Sequence, residues 1–305
     1  MDNMSSQSEN PLPLPRVQGP KLEPFQGTAS ADIQFLEFLG SGEDLDSKVW
    51  KARIDDHIYA LKVFGFQNWE FLEITTGACI MYPESDPLHR PDPIPQEFID
   101  YLDPFNCECR AYGRLKQERR EGLAVRAYGY VLLTWEQERT VTEALGEEWI
   151  DWENHSKPLN CDGVFRDGRS IDTNACALVI VKEYIPSTTP WTASQIPQMY
   201  NDLESLHALG ILVRDIHLYN YLGGKLVDFS RAWTMYHICL DRSTALATQR
   251  ARIEEPSKFE EMIDIWAFRE GVGISKPGAL VKWHSKQDAD LGIDPRKYDW
   301  KKWED

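Results

Sequence analysis

The sequence predicts an α+β fold in which a β-rich part precedes a helix-rich part. Two observations carry that prediction. Between residues 33 and 66, short segments alternate apolar and polar side chains with period two, as half-buried strands do. After Pro190 the period lengthens, and Ile196, Met199, Tyr200, Leu203 and Leu206 trace one stripe of a helix.

Residues 1–30 are rich in Ser, Pro, Asn and Gln with few large apolar side chains, which predicts a flexible tail and order from about Ile33. The segments IQFLEFLGSG and KVWKARI read as two strands joined by a glycine turn, and HIYALKVFGF reads as a third. Repeated prolines from Pro83 to Pro104 mark a long loop or insertion near 68–104. FNCECRAYGRLKQ follows as a helix and LAVRAYGYVLL as a strand. A polar, Trp-containing insertion spans 134–174, and ALVIVKEYI is a continuous apolar run suited to a strand buried on both faces. Ser194 is the expected N-cap of the helix after Pro190, with Pro197 as its third residue, and Gly210 is the expected C-cap. The boundaries are then a tail at 1–30, a first part at 31–185 and a second at 186–305.

Composition narrows the function classes. Apolar residues make up 42% of the 305 residues, and eleven are tryptophan, enough for a substantial core. The net charge of −16 argues against a general nucleic-acid or anionic-membrane binder. Six scattered cysteines lack paired zinc spacing and read as structural or incidental thiols. The N-terminal residues lack the basic start and apolar core of a secretory signal, and no apolar run has membrane-spanning length. The expectation is a soluble intracellular protein, cytoplasmic or nuclear, with reduced thiols.

Five pieces with phosphoryl-transfer roles occur in one order. Gly40 and Gly42 lie between two strands, where glycine lets backbone amides approach phosphate oxygens; alone they also fit an ordinary hairpin. Lys62 sits on the apolar strand YALKV, so its amine must find a buried anion or reach solvent at an edge. Glu108 in CECRAYGRL is a candidate partner, with Glu118 and Glu121 as alternatives. Asp215 and Asn220 stand five apart in VRDIHLYN, where a carboxylate can orient an attacking hydroxyl and an amide oxygen can ligate a metal. Asp228 follows an apolar strand in LVDF, behind a hairpin carrying Gly223 and Gly224, a natural place to present a carboxylate to Mg²⁺.

Together these strings resemble the protein-kinase superfamily. LHALGILVRD looks like its helix-to-catalytic-loop passage, YALKV like its ATP-site lysine strand, and EYI, with Glu183 and Ile185, like its hinge. More narrowly, RDIHLYNYLGGKLVDFSRAWT resembles a group of fungal kinase-like proteins labelled as an inner-kinetochore complex subunit family. The resemblance implies a bilobal kinase-like fold, with a β-rich N-lobe and a shortened α-rich C-lobe. It also implies ATP and Mg²⁺ as cofactors. Asp215 and Lys62 would then be catalytic, Asn220 and Asp228 metal ligands, and Gly40, Gly42, Lys62, Glu108, Glu183 and Ile185 the nucleotide contacts.

The departures from the pattern matter. The third loop glycine is absent, Val213 replaces the usual His, and His217 stands where Ser/Thr protein kinases commonly carry Lys. Ser230 replaces the Gly after Asp-Phe, and no Ala-Pro-Glu follows. Asp264-Ile265-Trp266 is a candidate for the helix that buttresses the catalytic loop. His207 reads as a structural histidine bonded to backbone at a helix end. Two functions are expected: an ATP/Mg²⁺-dependent phosphotransferase acting on a protein hydroxyl or small metabolite, or a pseudokinase scaffold binding protein partners through its C-lobe or insertions.

Overall fold

A computed structural model of the chain describes residues 17–26, 33–40, 47–64, 100–145, 177–186, 189–242 and 245–273. Gly42, most of both expected insertions and the C-terminal residues from 274 lie outside the described residues.

The described residues form a mixed α+β fold around a five-stranded antiparallel sheet. Its strands are β1 (Ile33–Phe38), β2 (Ser47–Ile54), β3 (His57–Phe64), β4 (Ala127–Leu132) and β5 (Leu178–Glu183), in the order β1-β2-β3-β5-β4. All five fall on segments whose alternation or apolar run predicts them. The β3–β5 register sets Lys62 opposite Ile180 and Ala60 opposite Lys182, so both lysines leave the same face of the sheet.

That face packs against α1 (Pro104–Gln117), the predicted CECRAYGRL helix, and every residue of α1 from Pro104 to Leu115 is buried. Asp103 caps it, accepting from the Asn106 N–H at 3.2 Å. The opposite face carries Trp50, Leu61, Val63, Val179 and Val181 and is covered in part by Val141 of α2 (Trp135–Leu145). A helix therefore stands within the stretch expected as a polar insertion at 134–174.

The second part holds α3 (Ile196–Ala208), α4 (Ile238–Arg242) and α5 (Ala245–Glu270). The capping hydroxyl is Thr192 rather than Ser194, and it caps the 3₁₀ turn ahead of α3, whose own N-cap position is Gln195. A 3₁₀ turn over Ala193–Gln195 precedes α3, and Thr192 and Gln195 exchange side-chain and backbone bonds in a capping box. Pro197 lies in the first turn of α3, one place earlier than counted from Ser194. Gly210 follows the helix at φ +72°, as its C-cap role requires. Short pairs β6 (Ile211–Leu212) with β9 (Trp233–Thr234), and β7 (Tyr221–Leu222) with β8 (Lys225–Leu226), frame the loop that carries Asp215 and Asn220. One apolar cluster runs from Leu22, Phe105 and Tyr112 through Leu203, Leu206 and Phe229 to Phe259 and Ile263.

Residues 17–26 correct the expected tail. Val17 and Leu22 are buried, Leu22 donates its N–H to Cys109 O, and residues 23–25 bond both ways to Tyr130 on the outer edge of β4. The approach is close enough that a Cβ on Gly113 would come within 2.5 Å of the Lys21 backbone. Low apolar content hid this strap because backbone bonds, rather than side-chain burial, hold most of it.

Among the described residues Cys107, Cys109 and Cys239 are free, buried thiols, and burial pushes Cys239 up to about 12. No helix there is long and apolar enough to cross a membrane.

Candidate functional site

Between the sheet and the β7–β8 hairpin, four charged side chains close on one another. Lys62 Nζ reaches Glu108 Oε2 at 2.8 Å and Asp228 Oδ1 at 2.5 Å. Lys182 bonds the other Glu108 oxygen and donates to Val227 O at 2.8 Å. Asp228 Oδ1 also accepts the Ser230 N–H at 2.7 Å. Glu108, Lys62 and Lys182 are almost wholly removed from solvent. Two ammonium groups and two carboxylates thus form a neutral set, the condition for burying charge at tolerable cost.

The electrostatics follow from that packing. Burial alone would lower the Lys62 pKa, but Asp228 and Glu108 outweigh it and hold it above the ordinary lysine range. Asp228 is likewise desolvated, yet Lys62 and Lys182 hold it well below the usual carboxylate range. Lys182 is shifted down, because burial, aided by the nearby Lys62 charge, exceeds the help it receives from Glu108.

The loop carrying Asp215 and Asn220 lies beside this set. Asn220 is buried and donates Nδ2–H to Asp215 O at 2.9 Å, so its amide holds the loop closed. The Asp215 carboxylate faces His217 Nε2 at 3.5 Å and Arg231 Nε at 3.8 Å. Burial pushes Asp215 up, but His217 and Arg231 bring it below the usual range, and Asp215 in turn raises His217. Arg214 adopts φ +67°, with its guanidinium 4.3 Å over the Trp233 ring and its backbone N–H on Glu255 Oε1 at 2.8 Å. A cavity of about 220 Å³ opens there, lined by Arg214, Asp215, Ile216, His217, Glu254, Glu255 and Lys258.

The loop is buttressed by α5, the helix that carries Asp264-Ile265-Trp266. Glu255 makes the contact, taking the Arg214 N–H and pairing with His207 Nε2 at 2.7 Å. Phe259 packs edge-on to Tyr200 and Tyr221. His207 is therefore held by a carboxylate on another helix rather than by backbone of its own.

Two buried arginines one turn apart on α1 fasten it to the second part. Arg110 Nη2 donates to Thr234 O at 2.9 Å and to Tyr236 O. Arg114 donates to Leu209 O at 2.8 Å and to Met235 O. The two guanidiniums thus satisfy four backbone carbonyls of the second part.

The structure brings together Lys62, Glu108 and Asp228, with Asp215 and Asn220 alongside; Glu118 and Glu121 take no part. Gly40 lies at the end of β1, and Glu183 is exposed at the end of β5. Ile185 lies beside the β7–β8 turn, 3.9 Å from where a Cβ on Gly223 would stand. Lys182, Arg110, Arg114 and Arg231 were not anticipated. Lys182 carried a legible signal, since a lysine inside LVIVKE faces the same burial problem as Lys62 in YALKV.

Magnesium and nucleotide, which the kinase resemblance implies, would meet an Asp228 carboxylate that is already engaged at one oxygen. Oδ1 accepts from Lys62 and from the Ser230 N–H, and the Lys182 ammonium, bonded to Val227 O, adds to the positive field at Asp228.

No curated protein matches the chain. A family model described as kinetochore Sim4 complex subunit FTA2 matches residues 10–233, a span that holds the strap, the sheet, α1 to α3 and all four members of the buried charge set. That span is well over half of the chain, which therefore belongs to the kinetochore Sim4 complex subunit FTA2 family.

Proposed function

We propose that this chain is a non-catalytic structural subunit of a multiprotein kinetochore assembly, built on a bilobal protein-kinase-like fold. Family membership supports the assembly role. The kinase-like ancestry is supported by the strand order β1-β2-β3-β5-β4, the Lys62–Glu108 pair and the hairpin that presents Asp228. The reading implies a nuclear protein whose partners are other proteins.

The observation that carries the non-catalytic half is the closed charge set. Lys182 supplies a second cation to Glu108, so Lys62 and Asp228 neutralise each other inside the protein and leave no net charge for a phosphate or a metal to complement. The Arg110 and Arg114 bonds add to this by fixing α1, so Glu108 has little freedom to change partners. Thermal unfolding with millimolar ATP and Mg²⁺ is the test, because a ligand that binds only the folded state raises its stability. The expected shift is below about 1 °C, whereas a hundredfold excess over Kd would add about 2.7 kcal/mol and several degrees.

A phosphotransferase reading is favoured by one feature, the convergence of Lys62, Glu108, Asp228, Asp215 and Asn220 on one locality. It requires Lys62 to release Asp228. Nucleotide-dependent stabilisation that Asp228→Ala abolishes would establish it over the structural reading.

A further inference from the structure

The C-terminal end of α1 closes on a residue that the backbone there disfavours. The Arg119 N–H bonds Lys116 O at 3.1 Å and the Arg120 N–H bonds Leu115 O at 2.8 Å, the two crossed bonds of a Schellman ending. Such an ending needs one residue in the left-handed region, and Arg119 takes it at φ +55°. Glycine enters that region without crowding a Cβ, and the chain uses it after α3 at Gly210 and after α5 at Gly271.

Nothing inside the fold offsets this strain through the side chain. Arg119 and Arg120 are both exposed, and neither guanidinium meets a carboxylate, a ring or a carbonyl among the described residues. A cation placed only to complement the negative end of a helix would turn back on its last carbonyls, but the crossed backbone bonds already serve Leu115 and Lys116.

The carboxylates nearby are engaged elsewhere. Glu121 pairs with Arg126 at 3.4 Å, Glu23 pairs with Lys116 at 3.5 Å, and Glu118 is not free either. Lys225 reaches the same turn and donates to Gly122 O. In a chain of net charge −16, this turn therefore presents two cations that no internal anion neutralises.

We propose that Arg119 and Arg120 anchor a docking site for an acidic segment of another subunit in the assembly. The occupant would be a short run of Asp and Glu side chains, which a guanidinium fork grips with two bonds at once. Salt at physiological strength screens charges beyond about 8 Å, so such a segment senses the turn and not the −16 of the whole chain. A DNA duplex extends well past that distance and would meet the acidic remainder. The proposal rests on the structural-subunit reading and names one surface through which it operates.

The test uses the full chain co-expressed with the other subunits of the complex. A photo-crosslinking phenylalanine analogue in place of exposed Gln117 should attach to an Asp- and Glu-rich segment of another subunit, and one in place of Arg139 on α2 should not. That segment, made as a peptide, should bind the Arg119→Gly and Arg120→Gln double variant roughly tenfold or more weakly than the parent, the scale of losing arginine anchors. Arg139→Gln, which removes an exposed cation elsewhere, should bind it as the parent does. Arg119→Gly alone should melt no more than about 2 °C below the parent, because glycine takes φ +55° without strain. A larger fall would make Arg119 a residue of the fold and overturn the proposal. Crosslinks to a second copy or within the same chain overturn it too, as does a DNA duplex that the parent retains and the double variant does not. Should the parent fail to enter the complex, the structural-subunit reading falls and the docking site with it. Should the parent enter without the crosslink, or parent and double variant bind the peptide equally, only the docking site falls.

Discussion

Glu108 of α1 and Lys182 of β5, 74 residues apart, form an ion pair that solvent does not reach. The pair explains why Glu108 can be wholly buried while also holding Lys62. It predicts an asymmetry between the two ends. Glu108→Ala leaves two buried ammonium groups with Asp228 alone and should cost about 3–5 kcal/mol in urea unfolding. Lys182→Met also breaks the neutrality but keeps the Lys62–Glu108 pair and removes a cation whose charged form burial already disfavours, so its cost should be smaller, about 1–3 kcal/mol. Equal losses from the two changes would show that Lys182 is no weaker a member of the set than Glu108.

The same change has a second readout. Removing the Lys182 charge leaves Glu108 and Asp228 with only Lys62, a net negative site better suited to a divalent cation. Lys182→Met should therefore gain a thermal shift with Mg²⁺ and ATP that the parent lacks. A parent and a variant that are both silent would assign the block to the loop geometry rather than to Lys182.

The pH dependence of stability has a defined sign. Asp228 titrates lower in the folded chain than in the unfolded one, so its contribution is present above about pH 4 and is lost as pH falls below it. Asp228→Asn should be less stable than the parent at pH 7, and the two unfolding free energies should converge as pH drops from about 4 toward 2. A gap that stays constant across that range would remove Asp228 as the titrating group.

His217 titrates in the opposite sense. Its folded pKa is raised by the Asp215 bond, so its contribution is complete below about pH 6.5 and disappears as pH rises through the higher folded value. Proton NMR of the His217 ring should find a midpoint above 6.5, and Asp215→Asn should lower it. A midpoint that ignores Asp215→Asn would place the cause elsewhere.

The arginine clamp predicts where the molecule opens. Arg114→Met strands the carbonyls of Leu209 and Met235 and should cost about 2–4 kcal/mol, with faster amide exchange along α1. Arg126→Met, which loses a partly exposed bridge to Glu121 and a contact over the Tyr128 ring, should cost less than about 1 kcal/mol.

The sheet and the hairpin were legible because their signals are local. Period-two alternation marked β1 to β3, and Gly223-Gly224 between apolar pairs marked the β7–β8 turn. The Lys62–Glu108–Asp228 meeting was legible through motif order. Lys182 was passed over because its neighbours Val179, Ile180 and Val181 make the strand look uniformly apolar. Arg110 and Arg114 are cations on a helix, a position where the default expectation is solvent, and only the tertiary fold shows the carbonyls they serve. Thr192 lost to Ser194 in the reading because capping depends on which residue turns first, a backbone choice that two neighbouring hydroxyl residues leave open.

The strap of residues 17–26 has a consequence for how the chain is made. Its partners are Cys109 and Tyr130, about a hundred residues later, and β3 must likewise wait for β5 across more than a hundred. The strap, the first described segment to leave the ribosome, therefore has no partner until β4 is made, and in that interval its own backbone groups stand open to pairing with other chains. Synthesis at about 5–20 residues per second leaves that interval several seconds long.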